Sequence, residues 1–419
     1  MERYTLKNGI KTIIKRNNNT PRTALVLCAK LNKDEFKAGL YYLMVQMLFQ
    51  GTKTRTSEAL VNELDENGID LNVEKKSDYI RFKLVSLNED INLGLEIMQD
   101  ILENSTFNGF EKEINKIKGE FTADLDSAKV KAQDEYYRTI FPNHPYGIGR
   151  QEMLEQLDSI TIDDLISAYE ELKQEMQKNI AVVGDLDKEV VVPLLENHFG
   201  GLNVAEIPYQ RKQIESLTEN VTSVVVKEDA NQAQIFQGWR VPDIFHEDGP
   251  TLALINTILG ASGLSSRLFL ELREKQGLAY TVRSVNEVFL TVGHFFVYIG
   301  TEPKNIQVAI DGFKKEMYKI MNEPISDEEL ENAKNHAIGK RQFYYQTNIV
   351  EAITSGYYET LGLGYDFEEK LINSIKSVTK EQIMEVATKY FSKSNALCVL
   401  APKKYLEDAG LMKSIVKTI

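Results

Sequence analysis

GLYYLMVQMLFQGT, residues 39–52, has no polar face. From Leu40 to Phe49 every residue except Gln46 is apolar or tyrosine. A helix that is apolar all round packs inside a larger body. The small pair Gly51-Thr52 offers a stop, because glycine takes the left-handed conformation that ends helices. Residues 40–49 are therefore expected to form an interior helix within a sizeable core.

The chain around this segment has 419 residues, more than one ordinary core serves, so two domains of about 200 residues each are expected. A hydrophobic content of 42% with 26% charged residues places it among globular proteins, not disordered or fibrous ones. The net charge of −13 argues against a nucleic-acid binder, which needs a basic stripe to neutralise phosphates. The acidity reads as a solubility device; an acidic wall attracting basic peptides is the other reading. Cys28 and Cys398 lie far apart in the apolar runs LVLCAKL and ALCVLA, and read as buried strand thiols. The opening MERYTLKNG has no apolar signal core, and no stretch of about 18 apolar residues is present. A cytoplasmic location is the expectation.

Working outward, the chain repeats itself. SITIDDLISAYEEL precedes NIAVVGDL; SVTKEQIMEVATKY precedes NALCVLAP. Thr161 and Thr379, 218 residues apart, each suit a helix N-cap, their hydroxyls accepting a first-turn N–H. Thr379 has Gln382 at the capping-box spacing. The same offset relates Glu113 to Glu331 and Lys116 to Lys334, in FEKEINKIKGEF and DEELENAKNHAIGKR. In register with the first pair, these argue for a duplicated domain. Strands are predicted at Tyr79–Leu87, in QIFQGWRV and in HFFVYIG, and a helix with proline in its first turn is predicted after Gly249. The fold class expected is α+β, with two homologous domains that each pack helices on a mostly antiparallel sheet. The boundaries are 1–205 and 221–419, joined by the polar, aperiodic linker 206–220 (EIPYQRKQIESLTEN).

Residues 39–52 resemble the zinc-binding helix of the pitrilysin/insulinase-type peptidases, which read roughly G-x-x-H-x-x-E-H-M-L-F-x-G-T. Gly39, Met47-Leu48-Phe49 and Gly51-Thr52 fit that frame. YTLKNGIKTIIKRNN, FPNHPYG, SSRLFLELREKQGLAY and EELENAKNH are also similar to family segments, in the expected order. The resemblance implies two such domains per chain, and two halves of a clamshell enclosing a peptide chamber.

The family's inverted H-x-x-E-H motif puts two histidines on zinc and a glutamate against the attacking water, all on one helical face. Tyr42, Val45 and Gln46 stand at those places here. Phenol and carboxamide are poor zinc ligands at neutral pH, and valine accepts no proton. The resemblance puts a third ligand at Glu120 and a supporting glutamate at Glu113; alone, both read as solvated helix carboxylates. One carboxylate does not hold catalytic zinc. The five histidines (His144, His198, His246, His294, His336) include no i,i+4 pair. No metal is expected in this chain.

ELREKQGLAYTVRS keeps a different part of the frame. On its own, Arg273 is a helix-end arginine and Tyr280 a strand-edge tyrosine. The resemblance implies more: in the family such a pair binds the substrate backbone near the scissile bond, where both groups donate to a carbonyl gaining charge. The frame from Ser266 to Tyr280 is intact. The expectation is a non-catalytic, substrate-binding subunit of a heterodimeric zinc metallopeptidase. A zinc-motif-bearing paralogue would supply the metal, and peptide would be the substrate. The short LGASGLSSRL stretch fits bacterial pairs better than the mitochondrial processing peptidase, whose metal-free subunit carries a long glycine-rich loop. A catalytically silent scaffold and a peptide-binding homodimer are the alternatives.

Overall fold

The computed structural model describes residues 1–203, 210–214, 216–413 and 415–418. Residues 206–209 and 215 of the expected linker lie outside the described residues. Among the described residues, twelve strands form two six-stranded sheets. The first contains β1 (Glu2–Thr5), β2 (Lys11–Arg16), β3 (Arg22–Lys30), β4 (Asp70–Lys75), β5 (Tyr79–Leu87) and β6 (Lys178–Gly184). Its order is β1-β2-β6-β3-β5-β4, and only β2-β6 is parallel. The second contains β7 (Val221–Val226), β8 (Ala233–Val241), β9 (Ala279–Val288), β10 (Gly293–Thr301), β11 (Asn395–Ala401) and β12 (Ile415–Thr418). Its order is β12-β7-β11-β8-β10-β9, with β7 parallel to both neighbours and the remaining pairs antiparallel. The run β2-β6-β3-β5-β4 has the same topology as β7-β11-β8-β10-β9, which is the duplication in structural form.

Both repeat signals are capping boxes. Thr161 and Asp164 close one at helix Ile162–Gln174, and Thr379 and Gln382 close the other at helix Lys380–Phe391. Each helix leads towards a closing strand, β6 or β11. Glu113–Lys116 and Glu331–Lys334 are both i,i+3 ion pairs, at 2.9 and 3.4 Å.

The chain divides into two compact units. One joins residues 1–119, 153–212 and 342–368; the other joins 120–152, 213–341 and 369–419. The linker thus separates the strands of the two sheets, while each unit also takes one helical stretch from beyond it. In the first unit, helix Asn348–Leu361 lies on β3 and β6, where Ala352 packs with Ala24, Val26, Cys28, Ala181 and Val183. In the second, helix Ala128–Ile140 lies on β8 and β11, where Ala132 and Tyr136 pack with Phe236, Cys398 and Leu400. Alternate residues of β8 and β10 (Ile235, Trp239, Phe295, Val297) point to the opposite face and join a larger core with helices Ile306–Asn322 and Lys380–Phe391. A strand covered on both faces needs apolar residues at every position, and β3 is buried from Thr23 to Ala29. Cys28 and Cys398 are unpaired and buried, and burial pushes each thiol up to about 12. Arg211, polar linker material in the sequence, is buried in the first unit with Nε 3.0 Å from Asp34 and Nη1 2.6 Å from Asp78.

Candidate functional site

The helix beginning at Leu40 ends at Met47, two residues earlier than the apolar run suggests. The carbonyls just past its end are taken by side chains: Ser105 Oγ donates to Leu48 O at 3.0 Å and Ser57 Oγ to Phe49 O at 2.8 Å. Gly39 precedes the helix at φ +90, a conformation L side chains rarely adopt, and the Met153 side chain closes the space a Cβ would need. Tyr41 ties the helix down, its phenol donating to Glu171 Oε1 at 2.8 Å. Burial, then the Glu171 charge, raises that phenol's pKa.

Tyr42 and Gln46 are half-buried on this helix and Val45 is buried. Glu120 is exposed on helix Phe110–Asp126. Glu113 on the same helix is buried, held by Gln50 Nε2 at 3.1 Å and Lys116 Nζ at 2.9 Å. Gln50 is one turn beyond Gln46; sequence reading did not anticipate its part in fixing the supporting glutamate. A phenol, an isopropyl group and a carboxamide do not fit zinc. Among the described residues no three His, Cys, Asp or Glu side chains gather as a metal site. His144, His198, His246 and His294 make separate local hydrogen bonds. Both ring nitrogens of His198, for example, are hydrogen-bonded, to Gln99 Oε1 at 3.0 Å and Asn92 Oδ1 at 3.1 Å.

Arg273 and Tyr280 do come together. Residues Phe269–Glu274 form a π-helical turn, a local widening frequent at functional sites. Gly277 at φ +62 then reverses the chain into β9. Arg273 Nη1 donates to the Tyr280 carbonyl at 2.7 Å. Its guanidinium sits between two rings, 4.7 Å from the Phe269 centroid and 5.0 Å from that of Tyr280. Across β9 and β10, Ala279 pairs with Thr301 and Thr281 with Gly300. Tyr280 is therefore the extra residue of a β-bulge, a device that re-aims a side chain. The residue is 79% exposed, and its hydroxyl makes no hydrogen bond among the described residues. β9 is an edge strand. The bulge left no mark in the sequence beyond the Gly277 turn before it.

Two family models match the chain. Residues 16–151 fit insulinase (peptidase family M16), and residues 159–336 fit the peptidase M16 inactive domain. The chain belongs to the M16 peptidase family. An uncharacterized zinc protease of Bacillus subtilis is 25% identical over 407 residues, covering 96% of this chain and 98% of that one. One from Rickettsia bellii is 24% identical over 402 residues, covering 95% and 96%. Among solved structures, a protease from Helicobacter pylori superposes with a TM-score of 0.88 at 20% identity, covering 96% of this chain and 99% of the other. The peptidase M16 inactive domain from Pseudomonas fluorescens gives 0.84 at 19% identity, covering 96% and 98%. The M16 fold is thus present from end to end, and the inactive-type match falls on the part that carries Arg273 and Tyr280. No helix among the described residues is long and apolar enough to cross a membrane.

Proposed function

We propose that this M16 chain is the non-catalytic, substrate-binding subunit of a heterodimeric zinc metallopeptidase. Zinc and the water-activating glutamate belong to a paralogous partner carrying the intact motif. This chain brings Arg273 and Tyr280 to the shared peptide chamber. The observation that carries the reading is the pair's geometry. A bulge turns an unspent phenol O–H outward, beside a guanidinium that two rings hold in place and that has spent one of its five N–H groups on a carbonyl. Such fixed donors suit a carbonyl oxygen that gains charge as water attacks. An extended peptide would add along an open sheet edge, with main-chain hydrogen bonds giving affinity for many sequences.

The test is co-expression with a zinc-motif paralogue and assay of each chain and the pair on a quenched fluorescent peptide. Hydrolysis is expected only from the pair. Arg273→Ala and Tyr280→Phe should each lower kcat/KM by on the order of 100-fold, as removal of one oxyanion donor does. Variants that keep the full rate at limiting and saturating peptide would refute the assigned roles.

A further inference from the structure

Two cations of the second unit share one aromatic ring and have no anion. Lys129 lies in the first turn of helix Ala128–Ile140 and is half-buried; Arg283 lies on the edge strand β9 and is exposed. Lys129 Nζ is 5.2 Å from the centroid of the Tyr298 ring, and the Arg283 guanidinium carbon is 5.7 Å from it. Both lie within the reach of a cation–π contact. Arg283 and Tyr298 are directly opposed across β9 and β10, so their side chains share one face of the sheet. Among the described residues neither cation makes a hydrogen bond or an ion pair.

The neighbouring groups do not supply the missing charge. The Glu287 carboxylate, on the same face of β9, is held by His294 Nε2 at 3.0 Å and by the Tyr137 hydroxyl. Asp229 is paired with Lys227 at 2.9 Å. The Tyr298 hydroxyl donates to Gln234 Oε1 at 2.7 Å, and burial raises its pKa, so the phenol stays neutral. Burial and then the Arg283 charge lower the Lys129 pKa, so the two cations repel each other. The chain has 62 acidic side chains against 49 Lys and Arg, yet no carboxylate among the described residues pairs with either cation. An anion bound beside the ring would relieve this repulsion.

The strand that carries the cluster also carries Tyr280. Residues 280 and 283 are three strand steps apart, about 10 Å. On the proposed function, a peptide extended along β9 with its scissile carbonyl at Tyr280 places a side chain about three residues away beside Arg283. A carboxylate there offers two acceptor oxygens to a guanidinium fork and an ammonium group. A lysine or arginine would be repelled, and a neutral side chain would leave the two charges unbalanced. We propose that Lys129 and Arg283, beside the Tyr298 ring, form a subsite for a carboxylate of the bound peptide, supplied by an acidic side chain or by the peptide C-terminus. The proposal rests on the peptide-binding role assigned to Arg273 and Tyr280.

Fluorescence anisotropy tests it, with the purified full chain alone and paired with the zinc-motif paralogue. The probes are a short labelled peptide of alanine, serine and glutamine with an amidated C-terminus, a series in which one glutamate replaces glutamine at successive positions, and the free-acid form. Glutamate at one position, or the free C-terminus, should tighten binding about 5-fold or more over the neutral peptide. The position that gains identifies the side chain as the source; a gain confined to the free acid identifies the C-terminus. Lys129→Gln and Arg283→Gln should each bring the ratio towards one. Lys131→Gln, on the same helix but acting on Asp229, should preserve it. If the neutral peptide binds and no carboxylate improves it, or if the gain survives both substitutions, the subsite is refuted while the proposed function stands. If none of the peptides binds the chain or the pair, the proposed function falls and the subsite with it.

Discussion

Lys178 shows how one residue couples folding to pH. It opens β6 and is 1% exposed, with Nζ donating to the carbonyls of Lys173 and Met176 at 3.0 Å each. These carbonyls lie at the end of helix Ile162–Gln174, where a cation complements the helix dipole. Burial nevertheless lowers the ammonium pKa to about 8. The unfolded chain therefore binds more protons than the folded one between about pH 8 and the ordinary lysine value near 10.4. Stability rises with pH through that window, because the cost of burying charge is present below it and relieved above it. Measured against Lys178→Met, which cancels other titrations, wild-type stability should rise by about 2 kcal/mol from pH 7.5 to 9.5. Urea unfolding at both pH values checks this; a flat difference would mean that the lysine titrates as if exposed. Residue identities made other points legible. Thr161, Thr379 and the two buried cysteines behave as their local sequences suggest. His336 is the contrary case: its Nε2 is buried and makes no hydrogen bond among the described residues, and nothing in NAKNHAIG distinguishes such an imidazole from a solvated one.

At the scale of elements, the exchanged helices rest on opposite glycine arrangements. Gly238 in β8 leaves room for helix Ala128–Ile140: a Cβ there would lie 1.9 Å from the Tyr136 hydroxyl and 2.9 Å from Phe295 O. Tyr136 has nowhere to retreat, being fully buried with its hydroxyl 3.1 Å from His294 Nδ1. Gly356, inside helix Asn348–Leu361, is different. A Cβ there would meet Ala181, Val26 and Cys28 at ordinary contact distances of 3.5 to 3.8 Å. Gly238→Ala should therefore destabilise by about 1–3 kcal/mol through overpacking. Gly356→Ala should stabilise by roughly 0.5–1 kcal/mol, the helix-interior preference for alanine. Denaturant midpoints of the two variants should move in opposite directions; movement in the same direction would contradict the packing described. The strands were legible because periodicity and turn residues act locally: Tyr79–Leu87 forms as predicted, and QIFQGWRV and HFFVYIG each form strands extended slightly at the ends. The exchange was not. Amphipathic patterning says that a helix needs a sheet to cover, but not which of two similar sheets it covers. The isolated glycine in QIFQGWRV was the available hint, since glycine within a strand often marks close approach.

At the scale of the molecule, the chain carries the Arg273–Tyr280 pair and no zinc motif, and under the proposed function that pair grips peptide for a partner's metal. The helix bearing Tyr42, Val45 and Gln46 offers no imidazole, and the exposed Glu120 is one carboxylate. A structural or catalytic zinc site needs at least three suitable protein donors. Arg273 is instead held by contacts within the second unit, to the Tyr280 carbonyl and to the Phe269 and Tyr280 rings. Under the proposed division of labour, metal and substrate grip fall to different chains, which predicts how the two respond to a chelator. The isolated chain should carry only substoichiometric zinc by mass spectrometry of the metal, and the reconstituted pair one zinc per heterodimer. Removing that zinc should abolish hydrolysis while leaving peptide bound, because the residues gripping the backbone do not depend on the ion. Fluorescence anisotropy of a labelled peptide, measured before and after chelation and then with Arg273→Ala, separates the two contributions. The metal-free pair should bind peptide about as tightly as the loaded one, and the arginine variant should bind it more weakly in both states. Stoichiometric zinc in the lone chain, with cleavage lost on chelation, would place the metal step here and remove the need for a partner.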